Sequence, residues 1–151
     1  MTVSVQKQDF LIQDVLSSFK NDNKTGASVS FVGYVRDFGD QISVGEIAME
    51  IEHYPGMTEK ALAKIESKAR KKWPINDIHI IHRYGKLKIN DQIVLVVVSS
   101  PHRYDAFRAC EFIIDFLKTD APFWKKEINI NSENWVETNK LDDEKKKSWR
   151  K

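Results

Sequence analysis

Apolar and polar residues alternate along three segments of the chain, and this pattern predicts β-strands at residues 27–36, 47–52 and 78–84. A fourth segment, residues 92–100, differs because it contains an unbroken aliphatic run at residues 93–98. A strand that is apolar on both sides must be covered on both sides. We therefore expect residues 92–100 to form the central strand of a sheet.

Three other segments have apolar residues at the spacing of an amphipathic helix, at residues 10–19, 58–73 and 104–117. Thr58 has the short polar side chain typical of an N-cap, and Pro74 is expected to end the second helix. In the third helix, four residues are expected to face the core: Phe107, Cys110, Ile114 and Leu117.

Two late strands are expected at residues 124–130 and 134–137, on either side of a turn at Asn131 and Ser132. The residues from Asp142 onward are rich in Asp, Glu and Lys. Such a composition predicts a solvated helix or a frayed end rather than a packed element.

The length of 151 residues, with 41% hydrophobic and 30% charged residues, is that of one globular domain. The chain has no internal repeat and no linker between segments. The order of strands and helices therefore predicts an α+β fold with a mixed or antiparallel sheet and packed helices. We expect one domain over residues 1–140 and a solvated tail over residues 141–151.

The composition argues against several classes of function. A net charge of +2 is too small to indicate nucleic-acid binding, and no segment resembles a signal peptide or a membrane span, so a cytoplasmic location is expected. The single cysteine, Cys110, excludes an internal disulfide and a multi-cysteine zinc site, and is expected to be a small core residue.

The spacing of metal ligands is not found among His53, His79 and His82, and the latter two are expected to be structural strand residues. No nucleotide-cofactor or nucleophilic-serine motif is present, so we expect neither a metal nor a cofactor.

The candidate chemistry lies in lysines near the end of the third helix. Lys118 ends the apolar-periodic segment, and Lys125 follows a proline and two aromatic residues. A lysine held near other cations and partly shielded from water is useful as an acid, a base or a nucleophile. The structural alternative is that Lys118 stabilises the helix C-terminus and that Lys125 lies over Trp124. This segment alone leaves both interpretations open.

Two strand ends also carry basic side chains. His102 and Arg103 follow the central strand just before a helix begins, where free backbone N–H groups can bind an anion. A helix cap and a surface ion pair would explain these two residues equally well. Arg36 closes another strand, where an arginine by itself is more often structural or solvent-facing. If the sheet brings these ends together with Lys118 and Lys125, the pocket is cationic and suits a small phosphorylated or carboxylate substrate.

Several blocks together resemble one family, the large catalytic subunit of molybdopterin synthase. In the family's order they are FVGYVR at residues 31–36, EHYPGMTEKAL at 52–62, IHRYG at 81–85, HR at 102–103, AF at 106–107, FLKT at 116–119 and FWK at 123–125. The resemblance extends over most of the chain. Its most specific parts are HYPGMTE and LKT-x-APFWK.

The resemblance implies an α/β-hammerhead-type α+β fold and a homodimer in which each chain binds a small ubiquitin-like sulfur-carrier subunit, giving a heterotetramer. The carrier's C-terminal Gly-Gly tail, charged as a thiocarboxylate, would enter a pocket of the large subunit. Two such sulfurs would convert cyclic pyranopterin monophosphate into the dithiolene of molybdopterin. This sulfur source on the partner agrees with the lack of cofactor motifs.

By motif position, the resemblance makes Lys118 and Lys125 the candidate catalytic residues. The candidate substrate-binding residues are Tyr34, Val35, Arg36, His102, Arg103, Lys126 and Glu127. The chain also departs from the family. Asn139, followed by Lys140, stands where the family often has an arginine, and Tyr34 occupies a position where a basic residue can occur. Whether Lys140 substitutes for that arginine is open.

Two other functions compete with a sulfurtransferase. One is a non-catalytic module that binds a ubiquitin-like sulfur carrier, although retention of both lysines and of His102 and Arg103 argues against it. The other is a basic RNA-binding domain, which would use the lysine-rich face of the second helix at residues 64–72. Exposed aromatic pairs on a sheet face, which RNA-binding domains of this class use, are not expected here.

Overall fold

A computed structural model describes residues 3–19, 23–37, 45–128, 133–135 and 140–150 of the chain. Its elements, in chain order, are β1 (Val3–Gln6), α1 (Ile12–Ser18), β2 (Ala27–Tyr34), β3 (Ile47–His53), α2 (Met57–Lys72), β4 (Asp77–Arg83), β5 (Gly85–Lys88), β6 (Gln92–Ser100), α3 (Arg103–Asp120), β7 (Phe123–Ile128), β8 (Glu133–Trp135) and α4 (Lys140–Lys147), followed by a 3₁₀ turn at Ser148–Arg150. The expected turn at residues 131–132 lies outside the described residues. None of the described helices is long and apolar enough to cross a membrane.

The first sheet has the strand order β1-β4-β6-β2, with β1 parallel to β4 and the other neighbours antiparallel. The side chains of β6 are buried on both of its faces. On one face Val94, Val96 and Val98 belong to the larger core, and on the other Leu95 and Val97 pack with the residues around α1. Because alternate residues of a strand point to opposite faces, the aliphatic run fills two cores at once. The predicted central strand is confirmed.

The second sheet has the order β5-β3-β7-β8 and is entirely antiparallel. Only Tyr84 separates β4 in the first sheet from β5 in the second. Gly85 follows it with a φ of 95°, a backbone conformation that glycine adopts without strain. The two sheets are thus joined by nearly continuous chain, and with the helices they form the predicted single α+β domain.

Helix α3 packs against the first sheet through a stripe of mostly small and branched side chains. The stripe consists of Ala106, Ala109, Cys110, Ile113 and Leu117, all buried. The prediction that Phe107 faces the core is wrong, because 60% of this residue is exposed. Successive helix residues are rotated by about 100°, so a helix that approaches the sheet closely through Ala106 directs Phe107 away from it. Burial raises the pKa of Cys110 to about 12, as expected of a core thiol.

The N-terminus of α2 is capped differently from the prediction. Gly56 is the N-cap, and its N–H donates to the Oε2 atom of Glu59 at 3.2 Å. Thr58 lies inside the first turn and is fully buried, so its assignment as N-cap is wrong. Its hydroxyl instead accepts from the N–H of Tyr54 at 2.9 Å and donates to the carbonyl of Pro122 at 3.1 Å. Thr58 therefore ties α2 to the chain that enters β7.

The C-terminal segment is a helix, but its end is packed rather than solvated. The indole of Trp149 lies edge-on to Trp73 and Phe112, and its Nε1 atom donates to the Oδ2 atom of Asp115 at 2.6 Å. On α4, Lys145 pairs with Glu111 at 2.7 Å and Lys146 pairs with Asp120, both on α3. Where the composition predicts a solvated tail over residues 141–151, Lys145, Lys146 and Trp149 instead contact α3, and Trp149 covers the aromatic side chains between α2 and α3.

Candidate active site

A connection of two residues, Ala121 and Pro122, joins the C-terminus of α3 to β7. The carbonyl of Pro122 accepts the hydroxyl of Thr58, so the first turn of α2 holds this connection from outside. Lys118 lies in the last turn of α3 and is exposed, whereas Lys125 lies on β7 and is partly buried. The short, anchored connection fixes the position of one lysine relative to the other.

Lys125 lies on the inner face of the second sheet. In the pairing of β3 with β7, Lys125 is opposite Ile51, and Glu127 is opposite Met49. Residues directly opposite each other in an antiparallel pair share a face, and both Ile51 and Met49 are buried. This largely apolar inner face, which also carries His53 opposite Phe123, thus holds a lysine and a glutamate that are both partly buried.

Lys126 and Trp124 lie on the outer face of the same strand, opposite Glu50 and Glu52. Lys126 forms an ion pair with Glu50 at 3.8 Å, and 48% of Trp124 is exposed. Because neighbouring residues of a strand point to opposite faces, the structure does not place Lys125 over Trp124. The structural alternative for Lys125 therefore fails, and that for Lys118, as a cation at a helix C-terminus, remains.

His82 contacts β7 although it belongs to the first sheet. It shares a face of β4 with Ile78 and Ile80, and only 1% of it is exposed. Its ring stacks on that of Phe123, with 3.6 Å between centroids and 17° between planes. Phe123 and Lys125 lie on the same face of β7, so His82 supports the stretch of strand that presents Lys125.

The surroundings of His82 are dry and cationic. Burial is the main cause that lowers the pKa of His82 to about 3, and the charge of Lys125 is the next. A hydrogen bond to the Arg83 carbonyl opposes this change, while His53 and Lys118 lower the pKa further. His82 is therefore neutral, and both candidate lysines lie near enough to act on its charge.

Sequence reasoning missed the place of His82 beside the lysines. The burial of His82 could have been predicted from the alternation of β4, because His82 follows Ile78 and Ile80 at intervals of two and so belongs to the buried face. Its contact with Phe123 joins two sheets, and no local pattern indicates that pairing. Among the described residues, no three His, Cys, Asp or Glu side chains group as metal ligands do.

Tyr34 and Val35, both candidates for substrate binding, differ in what they offer to a ligand. Tyr34 is 57% exposed, whereas Val35 is 1% exposed. The N–H of Val35 donates to the carbonyl of Asp91 at 2.9 Å, and its carbonyl accepts from Asn90 at 2.7 Å. Val35 therefore presents no polar group, and any contribution to binding is made by holding its neighbours Tyr34 and Arg36.

Arg36 lies at the same end of the first sheet as His82. Across β2, β6 and β4, Gly33 is opposite Val94, and Val94 is opposite His82. Arg36 follows Gly33 shortly after the end of β2 and is exposed. The end of β2 therefore lies at the same end of the first sheet as His82, and the part of Arg36 in a common site stays a prediction.

His102 and Arg103 lie at the opposite end of that sheet. Both are exposed and follow Ser100 at the end of β6, whereas His82 is paired near the start of β6. Along α3, Arg103 and Lys118 are roughly 22 Å apart, at about 1.5 Å per residue. The expectation that all three basic strand ends meet in one pocket is therefore wrong for a single copy of the chain.

The family follows from comparison with known proteins. A family model described as MoaE protein matches residues 5–120. The chain belongs to the MoaE protein family. The molybdopterin synthase catalytic subunit of Vibrio cholerae serotype O1 is 46% identical over 149 residues, and the alignment covers 97% of both chains. This relative and the family model agree, so the family expected from the motifs is confirmed.

MoaE structures share the fold described above. The molybdopterin biosynthesis MoaE protein from Burkholderia ambifaria superposes with a TM-score of 0.82 at 45% identity, and the match covers 99% of each chain. A chain from the complex of subunits 1 and 2 of molybdopterin-converting factor from Helicobacter pylori has a TM-score of 0.74 over 91% of each chain. At 19% identity, the latter likeness concerns the fold alone. The α+β architecture is thus that of the family.

Proposed function

We propose that this chain is the catalytic subunit of a cytoplasmic molybdopterin synthase and acts as a sulfurtransferase. It takes sulfur from the thiocarboxylated C-terminus of a small carrier protein and delivers it to cyclic pyranopterin monophosphate. The observation that carries the proposal is Lys125, which β7 holds on an apolar inner face within electrostatic reach of the same histidine as Lys118. A partly buried lysine held beside other cationic groups is a candidate for proton transfer or for stabilising an anion.

The two lysines suit a reaction between anions. The carrier's thiocarboxylate and the pterin's phosphate are both negatively charged, and positioned ammonium groups stabilise charge that develops as sulfur is transferred. Lys118, which is exposed, faces the incoming thiocarboxylate. Lys125, which is partly buried, stabilises or protonates the opening pterin intermediate. Each transfer leaves the carrier with an ordinary carboxylate whose second oxygen comes from water, and two transfers complete the dithiolene.

The partner in this proposal is a ubiquitin-like carrier with a flexible Gly-Gly tail. The Helicobacter pylori neighbour is described as a complex of two subunits of a molybdopterin-converting factor, which supports a two-protein assembly. Capture of a C-terminal carboxylate by cationic and backbone groups is a known mode of peptide recognition.

His102 and Arg103 are distant from Lys118 and Lys125 of their own chain. A homodimer explains how they nevertheless contribute to the site. A second copy of the chain supplies them to the lysines of the first, and the two carriers complete a heterotetramer. Tyr104 and Phe107 support this assembly, since they are 63% and 60% exposed on α3 beside these residues. Exposed aromatic side chains of this size are typical of a surface that another chain covers.

Around the lysines, two other candidates complete the binding site for the pterin. Arg36 holds the phosphate, and Glu127 lies on the same face of β7 as Lys125. Lys126 lies on the outer face in an ion pair with Glu50, so its part in substrate binding stays a prediction. Asn139 lies outside the described residues, and of Lys140 only the backbone position at the start of α4 is described. Substitution of Lys140 for the family's arginine therefore stays a prediction.

The decisive experiment is to incubate the chain with thiocarboxylated carrier and cyclic pyranopterin monophosphate and to assay for molybdopterin. We expect product in an amount that follows the thiocarboxylate at two carriers per product. Carrier that ends in an ordinary carboxylate is the control and gives none. A chain that binds the carrier tightly and yet forms no product would instead be the non-catalytic binding module.

A further inference from the structure

The tautomer of His82 follows from its hydrogen bond. Its Nδ1 atom lies 2.8 Å from the carbonyl oxygen of Arg83. A carbonyl oxygen only accepts, so the neutral ring carries its proton on Nδ1 and an unprotonated lone pair on Nε2. The side chain of Arg83 is engaged elsewhere, with the carbonyls of Lys7 and Gln92. The orientation of His82 is thus set by a backbone group of its own strand.

Three of the elements that surround His82 contribute a cationic or titratable group, whereas its strand neighbours contribute Val5 and Val94. These groups are Lys125 on β7, Lys118 on α3 and His53 on β3. The ring of His53 is itself packed against Tyr84, with 4.2 Å between centroids. A carboxylate in place of His82 would pair with a lysine and cancel the charge that an anionic ligand needs.

We propose that His82 is a positioning residue of the sulfur-transfer site: its neutral ring, stacked on Phe123, holds β7 so that Lys125 is presented toward Lys118. The inference rests on the proposed function and deepens it. His82 does not touch the reacting atoms and does not carry a proton in the reaction. It supports the lysine-bearing strand with an aromatic surface that brings no charge of its own to the site.

Three alternatives to histidine show why the ring suits this place. Phenylalanine would keep the stacking on Phe123 but would leave the carbonyl of Arg83 without its donor. Asparagine would keep a donor near the position of Nδ1 but would lose the stacking. Glutamate would bring the competing negative charge. Phenylalanine therefore removes the hydrogen bond alone and asparagine the stack alone, whereas glutamate removes both and adds a negative charge.

The test compares His82→Asn and His82→Phe with His79→Asn, a matched control on the same strand. His79 points to the other face of β4, where its ring lies 5.2 Å from that of Phe19. In folded protein we expect His82→Asn to lower kcat by roughly tenfold or more, as misplacement of a catalytic group does, with little change in the KM for the carrier. His82→Phe, which retains the stack, should recover most of kcat, and His79→Asn should be indistinguishable from wild type.

The variant His82→Glu and the ¹⁵N signals of the His82 ring test the proposal independently of the first comparison. His82→Glu should raise the KM for the carrier by roughly tenfold, because a carboxylate competes for the lysines. In wild type, the ¹⁵N signals of His82 should report the Nδ1–H tautomer between about pH 5 and pH 8. A protonated ring in that range, or a folded His82→Asn enzyme with the kcat of His79→Asn, would overturn the proposal. Wild type that makes no molybdopterin would instead refute the proposed function, while the tautomer would still be measurable.

Discussion

The two lysines of the site owe their positions to different physical causes. Lys125 is on the inner face because β7 alternates and Phe123 is held by His82. Lys118 is exposed in the last turn of α3, where the helix dipole favours a cation whether or not the residue takes part in chemistry. Geometry therefore removes the packing of Lys125 over Trp124 as an explanation, and the catalytic role of both lysines is left to experiment.

Replacement of Lys118 by alanine separates catalysis from helix capping. If Lys118 faces the thiocarboxylate, Lys118→Ala should leave the melting temperature almost unchanged and lower turnover roughly 10²-fold or more. Lys118→Arg should recover little activity, because a guanidinium keeps the charge but does not release its proton. Turnover of the purified variants with thiocarboxylated carrier is the measurement.

The control for this experiment should be Lys71→Ala. Lys71 is exposed on α2, whereas Lys68 and Lys72 lie over aromatic rings and would perturb packing. Those contacts also explain the lysine-rich face of α2 without an RNA ligand. We expect Lys71→Ala to match wild type in both assays. If Lys118→Ala also has the turnover of wild type, Lys118 has no catalytic role and only stabilises the C-terminus of α3.

At the scale of elements, side-chain periodicity predicted most of the fold. The alternating segments became β2, β3 and β4, and the aliphatic run became the central strand β6, since the period of two decides which faces are buried. Two of the errors, at Phe107 and at Thr58, concern choices within a helix. Phe107 was expected inward for its hydrophobicity, but the small side chains of Ala106 and Ala109 let α3 approach the sheet more closely.

The candidate site was predictable only in part. Motif positions located Lys118, Lys125 and Arg36, which the fold does place toward one end of the sheets. The stacking of His82 on Phe123 was not predictable, because it joins strands of two sheets and periodicity says nothing of pairing between them. For the same reason, the positions of the basic residues in the sequence could not show which strand ends lie close together in the fold.

Thr58 offers a test of how strongly α2 supports the site. Thr58→Val keeps the shape of this fully buried side chain but removes its bonds to the N–H of Tyr54 and the carbonyl of Pro122. We expect a loss of about 2 kcal/mol in the free energy of unfolding, the usual result of leaving buried polar groups unpaired. Because Pro122 connects Lys118 to Lys125, turnover should also fall by roughly tenfold in folded protein.

Thr25→Val is the matched control for this prediction. Its hydroxyl accepts a hydrogen bond from the side chain of Asn76 in an exposed position, at the end of the sheet away from Lys118 and Lys125. Stability should change by no more than about 0.5 kcal/mol, and turnover should be unchanged. Denaturant unfolding and the molybdopterin assay measure both variants. Equal turnover in Thr58→Val and Thr25→Val would show that the connection does not need α2 to hold its lysines in place.

At the scale of the whole molecule, the distribution of basic residues is the feature that a single chain does not explain. The lysine end of the sheets carries Arg36, Lys118 and Lys125, and the other end carries His102 and Arg103. The start and end of β6 are separated by roughly 26 Å at about 3.3 Å per residue. A small phosphorylated ligand does not span that distance, so either the second group serves another copy or it has no part in the reaction.

A complementation experiment distinguishes these two possibilities. If each site combines Lys118 of one copy with Arg103 of the other, then Lys118→Ala and Arg103→Ala homodimers are both nearly inactive. In a mixed dimer, both defects fall in one site and the other site is intact. Random mixing makes half of the dimers mixed, each with one working site of two, so activity should return to about a quarter of that of wild type.

Co-expression of the two variants under separate tags, followed by the molybdopterin assay, measures this recovery. If both residues serve the site of their own chain, no mixed dimer has an intact site and activity stays at the level of the separate variants; if Arg103 has no part in the reaction, Arg103→Ala is active by itself.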